Sequence, residues 1–369
     1  MKKGLTDTEL VERQKPIAAQ GGLWGWLDGR LGLAELRYKV PAHANTIWYT
    51  LGGISFVGIV VLIVTGVLLA RFYNPDPSLA RESVIAIQNT VPLGDVIRGI
   101  HVWTAYLVVI TAALHLIRIF VTASYKIPRE VNWLLGLGLL VLLMFGAVFS
   151  GTVLRWDQEA FEAMNHNMEL TSLLGSLGGT FSDQVARNVP MLHQIYLAHV
   201  SIVPILIVAL TVVHIFLIKT HGISPTSAQA DAGEAPDGEL LESHQTGNYA
   251  AHFRLMVGYG LVLLGLAGAL GVIFPAVVGP AADPTLEITK PPFIFYWLYA
   301  FEDWFKSVKG IFYAAISVFG LLALLPFLDR SPWRNPRRRP IVMALGALVL
   351  VGIIVLSIMV GVSPVARHL

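Results

Sequence analysis

Seven stretches of about 20 apolar residues follow one another along the chain, separated by segments that hold most of the charged residues. A helix of this length crosses the hydrocarbon core of a bilayer. Backbone groups in lipid must find their hydrogen bonds inside such a helix. The pattern therefore predicts an all-α integral membrane protein with about seven transmembrane helices. We expect them near Ile47–Phe72, Val96–Val121, Trp133–Leu154, Gln194–Ile218, Leu255–Phe274, Gly310–Leu328 and Ile341–Val362.

The composition of the whole chain supports this class. Of 369 residues, 55% are hydrophobic and only 14% are charged, whereas soluble domains are about a quarter charged. A soluble enzyme is excluded. The chain has no cysteine, which excludes disulfides, thiolate-bound iron–sulfur clusters and CxxCH haem attachment. The net charge of +2 gives no reason to expect nucleic acid as a partner.

Basic residues are divided unequally between the two sides of the predicted spans. The segments on the side of the N-terminus hold 17 Lys and Arg and the opposite segments hold 9, while each side holds 12 acidic residues. Cytoplasmic loops carry the excess of Lys and Arg. We therefore expect a multi-pass protein, in a prokaryotic cytoplasmic membrane, with its N-terminus in the cytoplasm and its C-terminus outside.

The polar segments divide the chain into four parts. We expect a cytoplasmic segment at 1–46, with a surface helix around Leu23–Leu36, and a four-helix domain at 47–222. A linker at 223–250, rich in Ala, Gly, Asp and Glu, leads to a three-helix domain at 251–369. The basic run Arg334–Pro340 is expected to be an interfacial anchor that contacts membrane lipid.

Four of the eleven histidines fall within predicted spans, two on the second and two on the fourth. His101 and His115 are 14 residues apart, which places them within about 40° of one helix face and about 21 Å apart along it. His199 and His214 are 15 residues apart, about 60° out of register. Because these two helices run in the same direction, His101 meets His199 near one surface and His115 meets His214 near the other.

Each such pair offers two imidazoles to one iron, which is the ligand set of a bis-histidine b-type haem. A single histidine in a membrane is more often a hydrogen-bonding or proton-relay residue, but two pairs of similar spacing favour haem. His193 competes for the outer position, although its spacing to His214 fits the partner helix poorly. The spacing predicts two haem b groups, with His101, His115, His199 and His214 as metal ligands.

Small and basic residues lie at the same depths as the histidines. Gly52 and Gly66, also 14 residues apart, would let a porphyrin edge approach the first helix. Gly136, Gly138 and Gly151 would do so on the third, although ordinary helix packing by small residues is the alternative. Arg98 and Arg118 are candidates for pairing with haem propionates, and snorkelling is the alternative.

The sequence resembles a known family, the cytochromes b of quinol–cytochrome c and quinol–plastocyanin reductases. The segments that carry the resemblance are Val40–Asn45, Leu51–Gly53, Arg98–Trp103, Leu114–Arg118, Lys126–Glu130, Trp156–Gln158 and His214–Ser224. It is strong over about residues 38–225, where the chain is most similar to the chloroplast and Gram-positive type, and weak over 250–369. The four-helix and three-helix subunits of that type look fused here.

The resemblance implies a four-helix bundle that holds two stacked b-type haems, an outer quinol-oxidising site and an inner quinone-reducing site. It implies quinone as substrate and other subunits of a respiratory or photosynthetic complex as partners, with a Rieske-type or other external redox protein and a c-type cytochrome among them. For the inner site the candidate residues are Lys219 and His221. The family has a basic residue at the position of Lys219.

Three positions depart from the family pattern. Thr50 stands where the chloroplast type has the cysteine that tethers an extra haem, so no covalent third haem is expected. Arg155 replaces a proline, and Pro291–Ile294 aligns with the outer-site Pro-Glu-Trp-Tyr motif without its glutamate. We therefore expect the outer pocket not to bifurcate electrons as the family does but to dock a redox partner. The alternative is that one of the nearby carboxylates takes over as base: Asp157, Glu159, Glu162, Glu302 or Asp303.

Three functions follow from these observations. The first is a dihaem cytochrome b subunit of a membrane quinol/quinone oxidoreductase complex, which moves electrons across the bilayer between the quinone pool and a partner redox protein. The second is a one-way quinone-reducing subunit that an external dehydrogenase supplies with electrons. The third is a non-haem transporter with a histidine proton relay.

Overall fold

The computed structural model describes residues 40–173, 175, 190–227, 229, 246–247 and 249–364, together with Trp26 and Arg30. Two short strands, β1 (Val40–Pro41) and β2 (Thr246–Gly247), pair in antiparallel orientation. The helices of the described residues, in chain order, are α1 (Ile47–Ala70), α2 (Ala80–Asn89), α3 (Gly94–Val121), α4 (Glu130–Val153), α5 (Gln158–Ser172), α6 (Met191–His221), α7 (Tyr249–Ile273), α8 (Tyr296–Phe305), α9 (Lys309–Leu328) and α10 (Pro340–Val362).

Seven of these helices are long and apolar enough to cross a membrane: α1, α3, α4, α6, α7, α9 and α10. Their number confirms the predicted fold class, and their ends lie within a few residues of the predicted ones. The chain is an integral, multi-pass membrane protein. Most of the predicted segments 1–46 and 223–250, including the surface helix at Leu23–Leu36, lies outside the described residues.

Helices α1, α3, α4 and α6 form a bundle in which α1 packs along α3 and α4 packs along α6. The other membrane helices cover this bundle. Helix α7 lies against α1 and α3, and α9 lies against α4. Gly99 of α3 and Gly271 of α7 are so close that a Cβ on either would lie 3.2 Å from the backbone of the other. Small residues allow such close approach of membrane helices.

The short helices α5 and α8 and the segment 275–292 form a cap on one membrane face, which we call the outer face. Asp157 begins α5 by accepting a hydrogen bond from the amide of Ala160 at 3.0 Å, and it also accepts one from Gly279 at 2.8 Å. Glu162 accepts hydrogen bonds from the amides of Ile288 and Thr289 at 2.9 and 3.0 Å. The two halves of the chain are therefore joined by buried hydrogen bonds across the outer face.

The opposite, inner face corrects the prediction for the basic run. Arg339 is buried rather than interfacial, and its guanidinium donates to the backbone carbonyl of Val121 at 2.8 Å and to the hydroxyl of Tyr125 at 2.9 Å. It also forms an ion pair with Asp329 at 3.3 Å. The last carbonyls of a helix lack partners within it, and a planar guanidinium satisfies several at once. Arg339 is therefore a structural residue at the end of α3.

Candidate haem site

The four membrane histidines meet in two pairs, as the spacing predicted. The ring centroids of His101 and His199 are 6.3 Å apart, and those of His115 and His214 are 6.5 Å apart. A metal–imidazole bond of about 2 Å on each side, plus about 1.1 Å from each ligating nitrogen to its ring centroid, gives roughly 6.2 Å for two rings that share one metal ion. Each pair therefore leaves a gap of the width that one iron atom fills.

A local change of helix geometry brings His199 into register. Residues Ala198–Ile202 of α6 form a π-helical turn, which holds one more residue than an α-helical turn. The extra residue between His199 and His214 is absorbed there, so the 15-residue spacing acts as the 14-residue spacing of α3. The predicted offset of about 60° is therefore too large.

The partner helix α4 contains the same device. Gly136 and Gly151 are 15 residues apart, and a π-helical stretch at Leu142–Val148 lies between them. Gly52 and Gly66 on α1 are 14 residues apart in uninterrupted α-helix. One helix pair thus has the shorter spacing for both its glycines and its histidines, and the other pair has the longer spacing for both.

Each histidine packs against one glycine of the neighbouring helix. A Cβ placed on Gly52, Gly66, Gly136 or Gly151 would lie 3.1, 3.3, 3.4 or 3.0 Å from Cε1 of His115, His101, His214 or His199, respectively. These distances are tighter than ordinary carbon contacts, so any side chain there would push the imidazole. A Cβ on Gly138 meets nothing within 4 Å among the described residues.

The outer histidines have hydroxyl partners. Nδ1 of His101 lies 2.8 Å from Oγ1 of Thr65, and Nδ1 of His199 lies 2.8 Å from Oγ of Ser150. Both hydroxyls already donate to backbone carbonyls, that of Thr65 to Val61 at 2.7 Å and that of Ser150 to Gly146. A hydroxyl has one proton to donate, so each Nδ1 must be the donor. The Nε2 lone pair of each ring is then available for a metal.

The inner histidines lack such partners. Nδ1 of His115 and Nδ1 of His214 are buried, and neither has a hydrogen-bond partner among the described residues. His214 points toward the backbone carbonyl of Asn132 without reaching hydrogen-bond geometry. The two pairs therefore have similar ring separations but different surroundings.

A cavity of about 680 Å³ surrounds the outer pair, within the range of roughly 300–1,000 Å³ for cofactor pockets. Gly66, Gly151, Arg98 and Arg155 lie in its wall. Arg98 is buried and donates to the backbone carbonyl of Ala276. At the inner end, the guanidinium of Arg118 lies 4.5 Å from the ring centroid of Tyr49, and its Nε has no hydrogen-bond partner among the described residues. The histidines, glycines and cavity together fit a planar, anionic macrocycle that brings its own metal.

The two predicted inner-site residues do not share a helix face. His221 follows His214 by seven residues, which places it within about 20° of the same face, whereas Lys219 lies about 140° away. Lys219 is exposed and His221 is half-buried, and the backbone carbonyl of His221 accepts a hydrogen bond from Arg129 at 2.7 Å. Of the two, His221 lies nearer to the inner histidine pair.

Comparison with known proteins identifies the family. Residues 36–222 match the family model described as cytochrome b/b6/petB, and residues 282–369 match cytochrome b (C-terminal)/b6/petD. The cytochrome bc complex cytochrome b subunit of Chlorobaculum thiosulfatiphilum is 30% identical over 344 residues, which are 88% of this chain and 78% of that protein. The chain belongs to the cytochrome b family.

Other relatives cover the N-terminal half of this cytochrome b. Cytochrome b6 of Heliobacterium mobile is 36% identical over 54% of this chain and 98% of its own length. The menaquinol:cytochrome c reductase cytochrome b subunit of Geobacillus thermodenitrificans is 32% identical over 55% of this chain and 97% of its own. A solved structure, a hyperthermophilic respiratory complex III, has the same fold, with a TM-score of 0.74, 22% identity and coverage of 93% of this chain and 92% of that one.

Membership of this family makes the chain a haem b protein that interacts with quinone. The relatives and the solved structure belong to multi-subunit oxidoreductase complexes, and the chain is accordingly a subunit of such a complex. Sequence reasoning missed the two π-helical turns and the hydroxyl partners of the outer histidines. No signal for the turns was visible beyond the one-residue difference in spacing.

Proposed function

We propose that this cytochrome b holds two haem b groups, one between His101 and His199 and one between His115 and His214. The facing imidazoles, each packed on a glycine, are the observation that carries this proposal. When bound, the haems supply one-electron redox chemistry. The protein holds the ligand rings in place, fixes the Nδ1 proton of the outer pair and excludes water from the bundle.

The two haem positions form an electron path across the bilayer. They are about 21 Å apart along α3, and electrons pass between them from the outer to the inner face. Arg98 and Arg118 neutralise propionates at the two ends. The substrate is quinol, which is oxidised at the outer cavity, and quinone is reduced near the inner pair with Lys219 and His221 assisting. Support for the quinol comes from the relatives named as bc-complex and menaquinol:cytochrome c reductase subunits.

The proposal includes the setting of the chain. The membrane is the prokaryotic cytoplasmic membrane, with the N-terminus in the cytoplasm and the apolar outer surfaces of the helices in lipid. The outer face binds a Rieske-type or other external redox protein that passes electrons to a c-type cytochrome. Neither the histidine-relay transporter nor the one-way quinone reductase is favoured, because the relatives over most of the chain belong to bc-type complexes.

The test of this function is quinol oxidation by the gently isolated complex with a c-type cytochrome as acceptor. We expect quinol to reduce b-type haem in the complex and the acceptor to be reduced at the same time. A complex that contains this chain but whose b-type absorption does not respond to quinol would contradict the proposal.

A further inference from the structure

A series of polar side chains leads from the outer cavity into the outer cap, and it begins at Arg155. This arginine lines the cavity, and its guanidinium lies 2.6 Å from the carboxylate of Glu159 on the first turn of α5. Burial raises the pKa of Glu159, and Arg155 only partly offsets this effect. An acidic group with a raised pKa therefore lies next to the cavity wall.

Tyr299 of α8 continues the series. Burial raises the pKa of its phenol, and the carboxylates of Glu302 and Glu159 raise it further, so the phenol lies within the field of both acids. The ring of Tyr299 also packs on His166 of α5, with 5.4 Å between the ring centroids. Tyr299 thus keeps its proton at neutral pH and lies between the acid at the cavity and a second ionisable cluster.

That second cluster is a buried ion pair. Nε2 of His166 lies 3.0 Å from Oε1 of Glu302, and its Nδ1 donates to the backbone carbonyl of Glu162 at 2.9 Å. Burial lowers the pKa of His166, but the hydrogen bond and charge of Glu302 outweigh it and raise the pKa to about 9. The other oxygen of Glu302, Oε2, is buried and has no hydrogen-bond partner among the described residues. Buried acceptors are rarely left in this state.

The ion pair also has a connection to water. The carboxylate of Glu287 lies 3.6 Å from the same Nε2 of His166, and its side chain is 53% exposed. The imidazole therefore stands between a buried carboxylate and an exposed one. A proton held at Nε2 has an acceptor on either side.

The other acids of the cap are already engaged. Asp157 caps α5 and accepts from Gly279, as described above. Burial raises the pKa of Glu162, but its hydrogen bonds from Thr289, Gln158 and two backbone amides hold the pKa below its usual value. These two carboxylates are structural, and this removes them from the set of acids that the sequence offered as bases.

We infer that a proton route joins the outer cavity to the outer surface, with the Glu302–His166 pair as its proton acceptor. We call this set the outer proton route; its members are Arg155, Glu159, Tyr299, His166, Glu302 and Glu287. The segment that lacks the family's glutamate, Pro291–Ile294, borders the same cavity, since Phe293 packs on the cavity residue Tyr106 with centroids 4.7 Å apart. Glu302 follows Pro292 by ten residues and provides the carboxylate that Pro292 lacks.

The inference rests on the proposed function, because a quinol must be oxidised in the cavity. Oxidation of one quinol to quinone releases two electrons and two protons. One electron passes to the external redox protein and the other to the outer haem iron. The outer proton route carries one proton, from the quinol hydroxyl to Glu302 and then through His166 to Glu287 and water. The second proton leaves on the side of the external redox protein.

The test is pre-steady-state reduction of the outer haem by quinol in the isolated complex, with the inner site blocked by an inhibitor, between pH 6 and 9. We expect Glu302→Gln and His166→Gln each to slow the reduction at least tenfold at pH 7, because positioned acid–base groups contribute about 10²–10⁴-fold. The rate in the variants should rise with pH throughout the range, since water and hydroxide replace the lost acceptor. Glu169→Gln, at an exposed position of the same helix α5, is the matched control and should behave as wild type.

Three outcomes decide the matter. Slow, pH-dependent reduction with a normal dithionite-reduced haem spectrum supports the route. Rates within twofold of wild type at every pH in both variants overturn it, while the proposed function stands. Failure of quinol to reduce the outer haem in the wild-type complex overturns both.

A second measurement keeps the inference testable if one variant loses haem. Because the pKa of His166 is raised in the folded protein, the stability that its ion pair contributes is complete below about pH 6.5. It is lost as the pH rises through about 9. The thermal unfolding temperature of the wild-type complex should therefore fall more steeply between pH 7 and 10 than that of His166→Gln. The same slope in both would show that the pair is not formed and would overturn the inference.

Discussion

The outer and inner histidine pairs differ in their surroundings although their ring separations are nearly equal. At the outer pair, two hydroxyls hold the Nδ1 protons, and a cavity with two arginines in its wall adjoins a cap of ionisable residues. At the inner pair, the Nδ1 atoms have no partner among the described residues. The comparison shows that one bundle, built from similar spacings on paired helices, gives two haem positions that are chemically distinct. Electron transfer in one direction requires such a difference.

The largest expected effect tests whether the two pairs are independent. His101→Ala or His199→Ala should remove the outer haem and keep the inner one, and His115→Ala or His214→Ala should do the reverse, because each iron loses one of its two axial ligands. Haem content and the reduced-minus-oxidised spectrum measure this. Retention of both haems in any of the four variants would contradict the pairing.

The next effect compares two glycines of α4. Gly151→Ala places a Cβ 3.0 Å from His199, whereas Gly136→Ala places it 3.4 Å from His214. Overpacking of this kind costs about 1–3 kcal/mol, so we expect Gly151→Ala to weaken retention of the outer haem and Gly136→Ala to be tolerated. Haem loss on titration with a haem acceptor measures both. Equal loss from the two positions would show that the contact distances do not decide haem retention.

A smaller effect tests the hydroxyls. Because Nδ1 donates to them, they increase the electron density of the ring and favour the oxidised iron. Thr65→Val and Ser150→Ala should therefore raise the midpoint potential of the outer haem by about 20–60 mV each, from a net hydrogen-bond energy of about 0.5–1.5 kcal/mol. The inner haem should not shift. A lower outer potential, or an equal shift of both haems, would rule out this assignment of the Nδ1 protons.

The smallest effect concerns the inner quinone site. His221→Ala should slow the oxidation of the inner haem by a quinone analogue severalfold, and Lys219→Ala should slow it less, because His221 lies on the face of His214. Rapid-mixing kinetics with the outer cavity inhibited measure the two rates. If neither variant differs from wild type, the quinone is reduced elsewhere.

The sequence predicted the parts of this molecule that depend on periodicity. The apolar stretches predicted seven membrane helices, and the positions of His101, His115, His199 and His214 predicted two facing pairs. The π-helical turns could not be predicted, because a one-residue insertion can be absorbed anywhere between Gly136 and Gly151 or near His199. The burial of Arg339 and the His166–Glu302 ion pair were also missed. Both join segments that are distant in sequence, and only tertiary packing brings those segments together.

The central claim, two haems each held by two histidines, is tested most directly by the haem content and electron paramagnetic resonance spectrum of the isolated complex. We predict two haem b groups for each copy of this chain, both low-spin in the oxidised state, with separate midpoint potentials in a redox titration. A single haem for each chain, or a high-spin signal that accounts for one of two haems, would contradict the claim.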